Sequence, residues 1–303
     1  MSEETLPKDL ERVVTRYDHN PIISKENIPF TCNVVFNPGA VKFKDKYYLL
    51  LRIQTRKLNS HFVLATSDNG INFEISKDFA FSPTQGAGDH RGVEDPRITR
   101  IKDDYYITYT AYSRHGASVG LAETKDFKEF ERLGIIFPPE NKDAVLLPEK
   151  VDGRYFMYHR PSSDMSMWVA DSPDLIHWGN NKPVLEPDIY AWDAEKVGAG
   201  AVPIRTEKGW LHIYHGVARG GYRLGTALFD LKNPSELKRK SENYILAPEK
   251  DYERKGEVNN VVFTCGAIVE DNGEVKIYYG AADTSVCLAT AKLDDLIDFA
   301  EKY

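Results

Sequence analysis

The chain has 303 residues, 42% hydrophobic and 12% aromatic, with 17 tyrosines and a formal net charge of −7. That acidic balance argues against a nucleic-acid partner, which needs a basic face, but leaves room for a small local basic site. The N-terminal MSEETLPKDLERVV lacks the apolar core of a signal peptide, and no apolar run is long enough to span a membrane, so a cytoplasmic, non-membrane protein is expected. Cys32, Cys265 and Cys287 are few, odd in number and widely spaced, and read as reduced thiols.

In chain order, the first predicted element is a helix over PKDLERVVTRY, residues 7–17. Five look-alike segments follow: DKYYLLLRIQ from Asp45, DDYYITYTAY from Asp103, DGRYFMYHRP from Asp152, KGWLHIYHGV from Lys208 and NGEVKIYYGA from Asn272. Each opens on a polar turn and continues as an alternating aromatic and aliphatic strand. A second apolar strand and another turn come next, as in FVLATSDNGINFE, SVGLAETKDFKEFE and MWVADSPDLIHWG. A second helix, DDLIDFAEKY over residues 294–303, closes the chain; both terminal helices read as packing or oligomer contacts, which leaves a homo-oligomer open.

Anchored at Tyr47, Tyr105, Tyr155, Trp210 and Val275, the repeats step by 58, 50, 55 and 65 residues. A unit of that size holds about four short strands, one propeller blade. Five units predict an all-β, five-bladed propeller forming one catalytic domain over residues 1–303, with an irregular β-sandwich as the alternative.

The same register predicts the chemistry. Five residues beyond the anchors stand Arg52, Thr110, Arg160, His215 and Gly280. Three of these can carry positive charge on an otherwise apolar strand, which predicts an anion site on the propeller axis. Ten residues before the anchors stand Asn37, Asp95, Val145, Gly200 and Cys265. Asp95, in GVEDPRIT, is the only carboxylate there and the candidate acid, with a turn cap as its structural alternative. Pro96 is expected to hold Asp95 extended, and alternation to send Glu94 to the opposite side.

Lys142, in ENKDAVLLPEK, and Lys196, in EKVGAGAVP, enter the third and fourth blades, either as surface lysines or as part of the anion site. Asp283, in the small-residue stretch YYGAADT, is placed to accept sugar hydroxyls. Tyr112, Trp168, Tyr190 and Trp192 are candidates for stacking on sugar faces. HExxH, paired-cysteine, GxGxxG and P-loop patterns are absent, so no metal, dinucleotide or ATP is indicated.

These segments together resemble glycoside hydrolase family 130, the β-mannoside phosphorylases. The resemblance runs from NPI near Asn20 to YYGAADT and beyond, and its most specific pieces are GVEDPRIT, PPENKDAVLLPEK, MYHRP, SPDLIHWGN, KVGAGAVPI, GWLHIYHGV and NVVFTCGAI. It implies a five-bladed propeller, no cofactor, and inorganic phosphate as co-substrate with a β-mannoside. It implies that Asp95 is the single catalytic acid, protonating the bridging oxygen through the mannose 3-hydroxyl while phosphate attacks the opposite face to give α-mannose 1-phosphate. By motif it carries Lys142, Arg160, Lys196 and His215 to the phosphate site, and Arg52 and Asp283, with Asn37 beside them, to the bound mannose or its neighbouring phosphate. Family members that are hydrolases lack the basic phosphate site, whereas Arg160 and His215 stand in their motifs here. Lys142 stands where phosphorylases often carry arginine, which keeps the charge and loses the bidentate fork. YTAYS and PPENKDAV are closer to members acting on β-1,4-mannooligosaccharides, with β-1,2-mannobiose open. A β-mannosidase on the same fold and a non-catalytic glycan-binding propeller are the rival readings.

Overall fold

The structure, a computed structural model, describes residues 12–302. It begins with β1 (Val14–Arg16), and the later strands group into five antiparallel blades. Blade 1 is β2 (Val34–Phe43), β3 (Lys46–Gln54), β4 (Ser60–Ser67) and β5 (Glu74–Phe81). Blade 2 is β6 (Gly92–Ile101), β7 (Asp104–Ser113), β8 (Gly116–Thr124) and β9 (Glu131–Phe137). Blade 3 is β10 (Asn141–Leu146), β11 (Tyr155–Pro161), β12 (Met167–Ser172) and β13 (Gly179–Leu185). In blade 4 the first strand is broken into β14 (Lys196–Ala199) and β15 (Ile204–Arg205), both pairing with β16 (Trp210–Ala218), and β17 (Gly221–Phe229) and β18 (Leu237–Lys240) follow. Blade 5 is β19 (Val262–Val269), β20 (Glu274–Ala281) and β21 (Ser285–Lys292), completed by β1 on the edge of β21.

Each predicted anchor is the first or second residue of a blade's second strand. Alternation along that strand explains the packing. In β3, Leu49, Leu51 and Ile53 face blade 5, while Leu50 faces blade 2. Each blade's second strand thus feeds two neighbouring cores, and an apolar cluster fills each of the five blade interfaces. The recurring Ser/Thr and Asp/Asn motif also has a physical basis. Ser67 and Asn69, Thr124 and Asp126, and Ser172 and Asp174 accept from the backbone N–H groups of the turn between third and fourth strands.

The N-terminal helix is not borne out where the structure describes it. Val14–Arg16 is a strand, and residues 7–11 lie outside the described residues. β-Branched Val13, Val14 and Thr15 favour extension, and the free edge of β21 supplies a ladder. The C-terminal helix is present as α2 (Leu293–Lys302), packing Leu296, Phe299 and Ala300 into the core between blades 4 and 5. Among the described residues, no helix is long and apolar enough to cross a membrane.

Ring closure also rests on a buried ion pair. Arg16 donates from Nε to Glu253 Oε1 at 2.8 Å. Glu253 belongs to the single-turn helix α1 (Asp251–Arg254) and is fully buried. It also accepts from the Tyr279 hydroxyl at 2.9 Å and from the backbone N–H of Glu249 at 2.7 Å. Arg16→Met leaves that carboxylate buried and uncompensated, so it is expected to lower unfolding stability by about 3 kcal/mol or more, read as a drop in the urea midpoint.

Candidate active site

The first strands of blades 1, 2 and 3 share one backbone device. Their ladders slip between Phe36 and Gly39, between Glu94 and Arg97, and between Lys142 and Val145. Each slip is a bulge whose first residue is left-handed: Asn37 at φ 44°, Asp95 at φ 51° and Asp143 at φ 52°. Asn and Asp tolerate that region better than other non-glycine residues. Asp95 is therefore not extended as Pro96 led us to expect; the bulge overrides the pre-proline preference and turns its carboxylate toward the axis. Glu94 is not sent away either, because a bulge breaks strict alternation.

Arg52 joins the two carboxylates, with Nη1 donating to Asp95 Oδ1 at 2.9 Å and Nη2 lying 2.8 Å from Glu94 Oε1. Asn37 Nδ2 donates to the same Asp95 oxygen at 2.8 Å. Burial alone would raise the Asp95 carboxyl pKa; the charges of Arg52 and Lys142 and the Asn37 hydrogen bond outweigh it and hold the group below its ordinary value. Asp283, itself left-handed at φ 53°, lies in the β20–β21 turn. Burial pushes its carboxyl up to about 6, with Arg52 offsetting part of the effect and the charge of Asp95 adding to it.

The opposite wall is built from blade 3. Asp143 is buried, and its Oδ2 accepts from Arg160 Nε at 3.0 Å and Nη2 at 2.7 Å. Lys142 stands directly across the ladder from Arg160 and has no ion-pair partner within 4.0 Å among the described residues. His215 Nε2 lies 3.4 Å from Asp143 Oδ2, at the outer limit of a hydrogen bond. Burial lowers the His215 pKa to about 4, Asp143 offsetting only part of the effect, so the ring is neutral at pH 7. Beneath these groups the fully buried Arg97 donates to the carbonyls of Asp95 at 3.0 Å, Ala199 at 2.7 Å and Gly200 at 2.9 Å.

One cavity on the axis brings together Asn37, Arg52, Asp95, Lys142, Arg160 and Asp283, six of the residues expected from the sequence. Two roomier clefts flank β1 and are lined by none of these six residues. His215 does not line the axial cavity. It lies behind Asp143 and Gly198 and is neutral, so the expected trio of cations is reduced to Arg52 and Arg160. Lys196 is half-buried with its Nζ 4.7 Å from the centre of the Tyr222 ring, and Tyr222 together with Phe263 and Val258 forms the less polar side of the cavity. Burial, reinforced by Arg160 and Lys142, lowers the Lys196 pKa.

Trp192 is excluded as a stacking platform. It is buried, and a Cβ at Gly216 or Gly225 would lie 2.6 or 2.4 Å from its ring. Tyr112 and Tyr190 are exposed, and Trp168 is half-buried with Nε1 donating to Asp164. Sequence reasoning missed Asp143 and Arg97. The bulge residue stands ten residues before the anchor in blades 1 and 2 but twelve before it in blade 3, so counting back ten from Tyr155 reaches Val145 where the bulge residue is Asp143. No group of three or more potential metal ligands occurs among the described residues.

Comparison with known proteins gives the chain a family. The glycoside hydrolase family 130 profile, described as beta-1,4-mannooligosaccharide phosphorylase, matches residues 3–302. The chain belongs to glycoside hydrolase family 130. It is 34% identical to a beta-1,4-mannooligosaccharide phosphorylase of Ruminococcus albus, over 98% of this chain and 93% of that one. It is 39% identical to a beta-1,2-mannobiose phosphorylase of Thermoanaerobacter sp., over 91% and 96%. Among solved structures, the beta-1,2-mannobiose phosphorylase from Listeria innocua in complex with beta-1,2-mannobiose superposes with a TM-score of 0.90 at 30% identity, covering 96% of this chain and 99% of that one.

The opposed environments of Asp283 and Asp95 predict a titration. Carbon-13 NMR of the carboxyl groups in the unliganded chain is expected to find Asp283 titrating near pH 6 and Asp95 below pH 3.8. Because the folded-state pKa of Asp283 is raised, its contribution to stability falls as pH rises through about 6. Asp283→Asn should therefore remove the titration near pH 6 and stabilise the unliganded chain more at pH 7.5 than at pH 4.

Proposed function

We propose that the chain cleaves β-mannosides by inverting phosphorolysis, releasing α-mannose 1-phosphate and a shortened sugar. The observation that carries this reading is Lys142: a half-buried cation without an ion-pair partner among the described residues, beside Arg160 and in one cavity with Asp95. A desolvated cation favours an anionic ligand, and a phosphate dianion needs charge-assisted donors to replace its hydration. Lys142, the uncommitted edge of Arg160, and Lys196 are assigned to that anion, with His215 supporting them from behind. Asn37, Arg52 and Asp283 are assigned to the mannose.

Asp95 is assigned as the acid. Arg52 and Lys142 hold its pKa below the ordinary carboxylate value. A phosphate dianion beside Lys142 offsets that cationic field and raises the proton affinity of Asp95. A phosphate oxygen then forms its bond to the anomeric carbon as the glycosidic C–O bond breaks. The departing oxygen takes a proton relayed from Asp95 through the mannose 3-hydroxyl, and the proton of hydrogen phosphate restores Asp95. Phosphate is already anionic, so no carboxylate base is required.

We assign β-1,4-mannooligosaccharides as substrate, in keeping with the family profile and the relative matched over 98% of the chain. β-1,2-Mannobiose is the second reading, favoured by the 39% identity to the Thermoanaerobacter enzyme. We take residues 1–303 as one catalytic domain, since apolar cores fill every blade interface. A cytoplasmic setting is in keeping with three unpaired thiols.

Incubation with each disaccharide, with and without phosphate, tests the reaction and the linkage together: cleavage of the β-1,4 substrate is expected only with phosphate. Asp95→Asn should lower turnover by roughly 10²–10⁴ with the fold intact. Lys142→Ala should raise the KM for phosphate about 10- to 100-fold, the loss of one charge-assisted contact, while the mannoside KM moves little. Equal cleavage in phosphate-free buffer would make the enzyme a mannosidase.

A further inference from the structure

We infer that Asp143 is the positioning residue of the anion site, fixing Arg160 so that its free edge faces the incoming phosphate; this rests on the phosphorylase reading. A carboxylate on the wall of an anion cavity opposes anion binding by simple charge, so its place there needs another physical reason. The geometry supplies one. Both Arg160 Nε and Nη2 converge on the single oxygen Oδ2, at 3.0 and 2.7 Å, which clamps one edge of the guanidinium. Nη1 is left with only a 3.4 Å contact to the Met165 sulfur, and Arg160 lines the cavity. A long side chain without that clamp would lose rotamer freedom on binding phosphate, and the clamp removes this loss in advance.

Asp143 is itself held from three blades. Its left-handed backbone belongs to the blade 3 bulge. His215 Nε2 of blade 4 lies 3.4 Å from Oδ2, and Arg97 Nη2 of blade 2 lies 3.8 Å from Oδ1. Gly198 closes the knot, since a Cβ there would stand 2.6 Å from His215 Nε2 and 3.0 Å from Asp143 Oδ2. Substitution at Gly198 therefore displaces the knot without changing its charge.

The test is steady-state kinetics of the full chain, varying phosphate and mannoside separately, together with calorimetric titration of inorganic phosphate. Asp143→Ala is expected to raise the phosphate KM at least tenfold with the mannoside KM within twofold. Asp143→Asn, which keeps an oxygen for Arg160, should lie between wild type and alanine. Gly198→Ala should shift the phosphate KM in the same direction, and with the asparagine variant it carries the test if Asp143→Ala does not fold. Unchanged phosphate KM and phosphate affinity in the folded variants, or a mannoside KM that rises as far as the phosphate KM, would overturn the inference. Absence of phosphate binding by the wild-type chain would instead overturn the phosphorylase reading on which it rests.

Discussion

A fully buried guanidinium at the centre of the ring organises the rest of the site. Arg97 carries its charge where no solvent reaches it, and such a charge is tolerated only when its donors are satisfied. Its partners come from two blades that are not neighbours in sequence: the Asp95 carbonyl in blade 2 and the Ala199 and Gly200 carbonyls where the first strand of blade 4 breaks. Those bonds hold the blade 2 bulge in its left-handed form and fix the distance across the axis. The cavity walls therefore stand on a polar floor as well as on apolar blade cores.

Above that floor, one bulge geometry yields three outcomes. In blade 1 it delivers an amide, Asn37, which donates to Asp95. In blade 2 it delivers a carboxylate held by Arg52, and in blade 3 a carboxylate held by Arg160. Much of the positive charge is thus answered locally, and Lys142, without an ion-pair partner among the described residues, gives the cavity its claim on an anion. The left-handed backbone at Asn37, Asp95 and Asp143 is strain kept in place by the surrounding ladders, of the kind that gathers at functional sites.

The architecture was legible in the sequence because strand alternation and blade packing are the same fact: residues two apart feed one core, residues one apart feed the next. The anchors Tyr47, Tyr105, Tyr155, Trp210 and Val275 mark equivalent strands for that reason. The cross-strand partners of Arg52, Thr110, Arg160, His215 and Gly280 are likewise equivalent, standing at or next to the residue before the slip in blades 1, 2, 3 and 5. What was not legible depends on three dimensions. A two-residue difference in one hairpin hid Asp143. Burial, which no residue count reveals, made His215 neutral and Trp192 inaccessible. The N-terminal segment is a strand because the last blade lacks one, a long-range demand that local helical pattern cannot anticipate.

The central claim is that phosphate, not water, forms the new bond at the anomeric carbon. Cleavage carried out in ¹⁸O-enriched water with unlabelled phosphate tests it directly by mass spectrometry of the products. The account predicts α-mannose 1-phosphate with no ¹⁸O at the anomeric position. Cleavage to free sugars alone, with no α-mannose 1-phosphate formed, would contradict it.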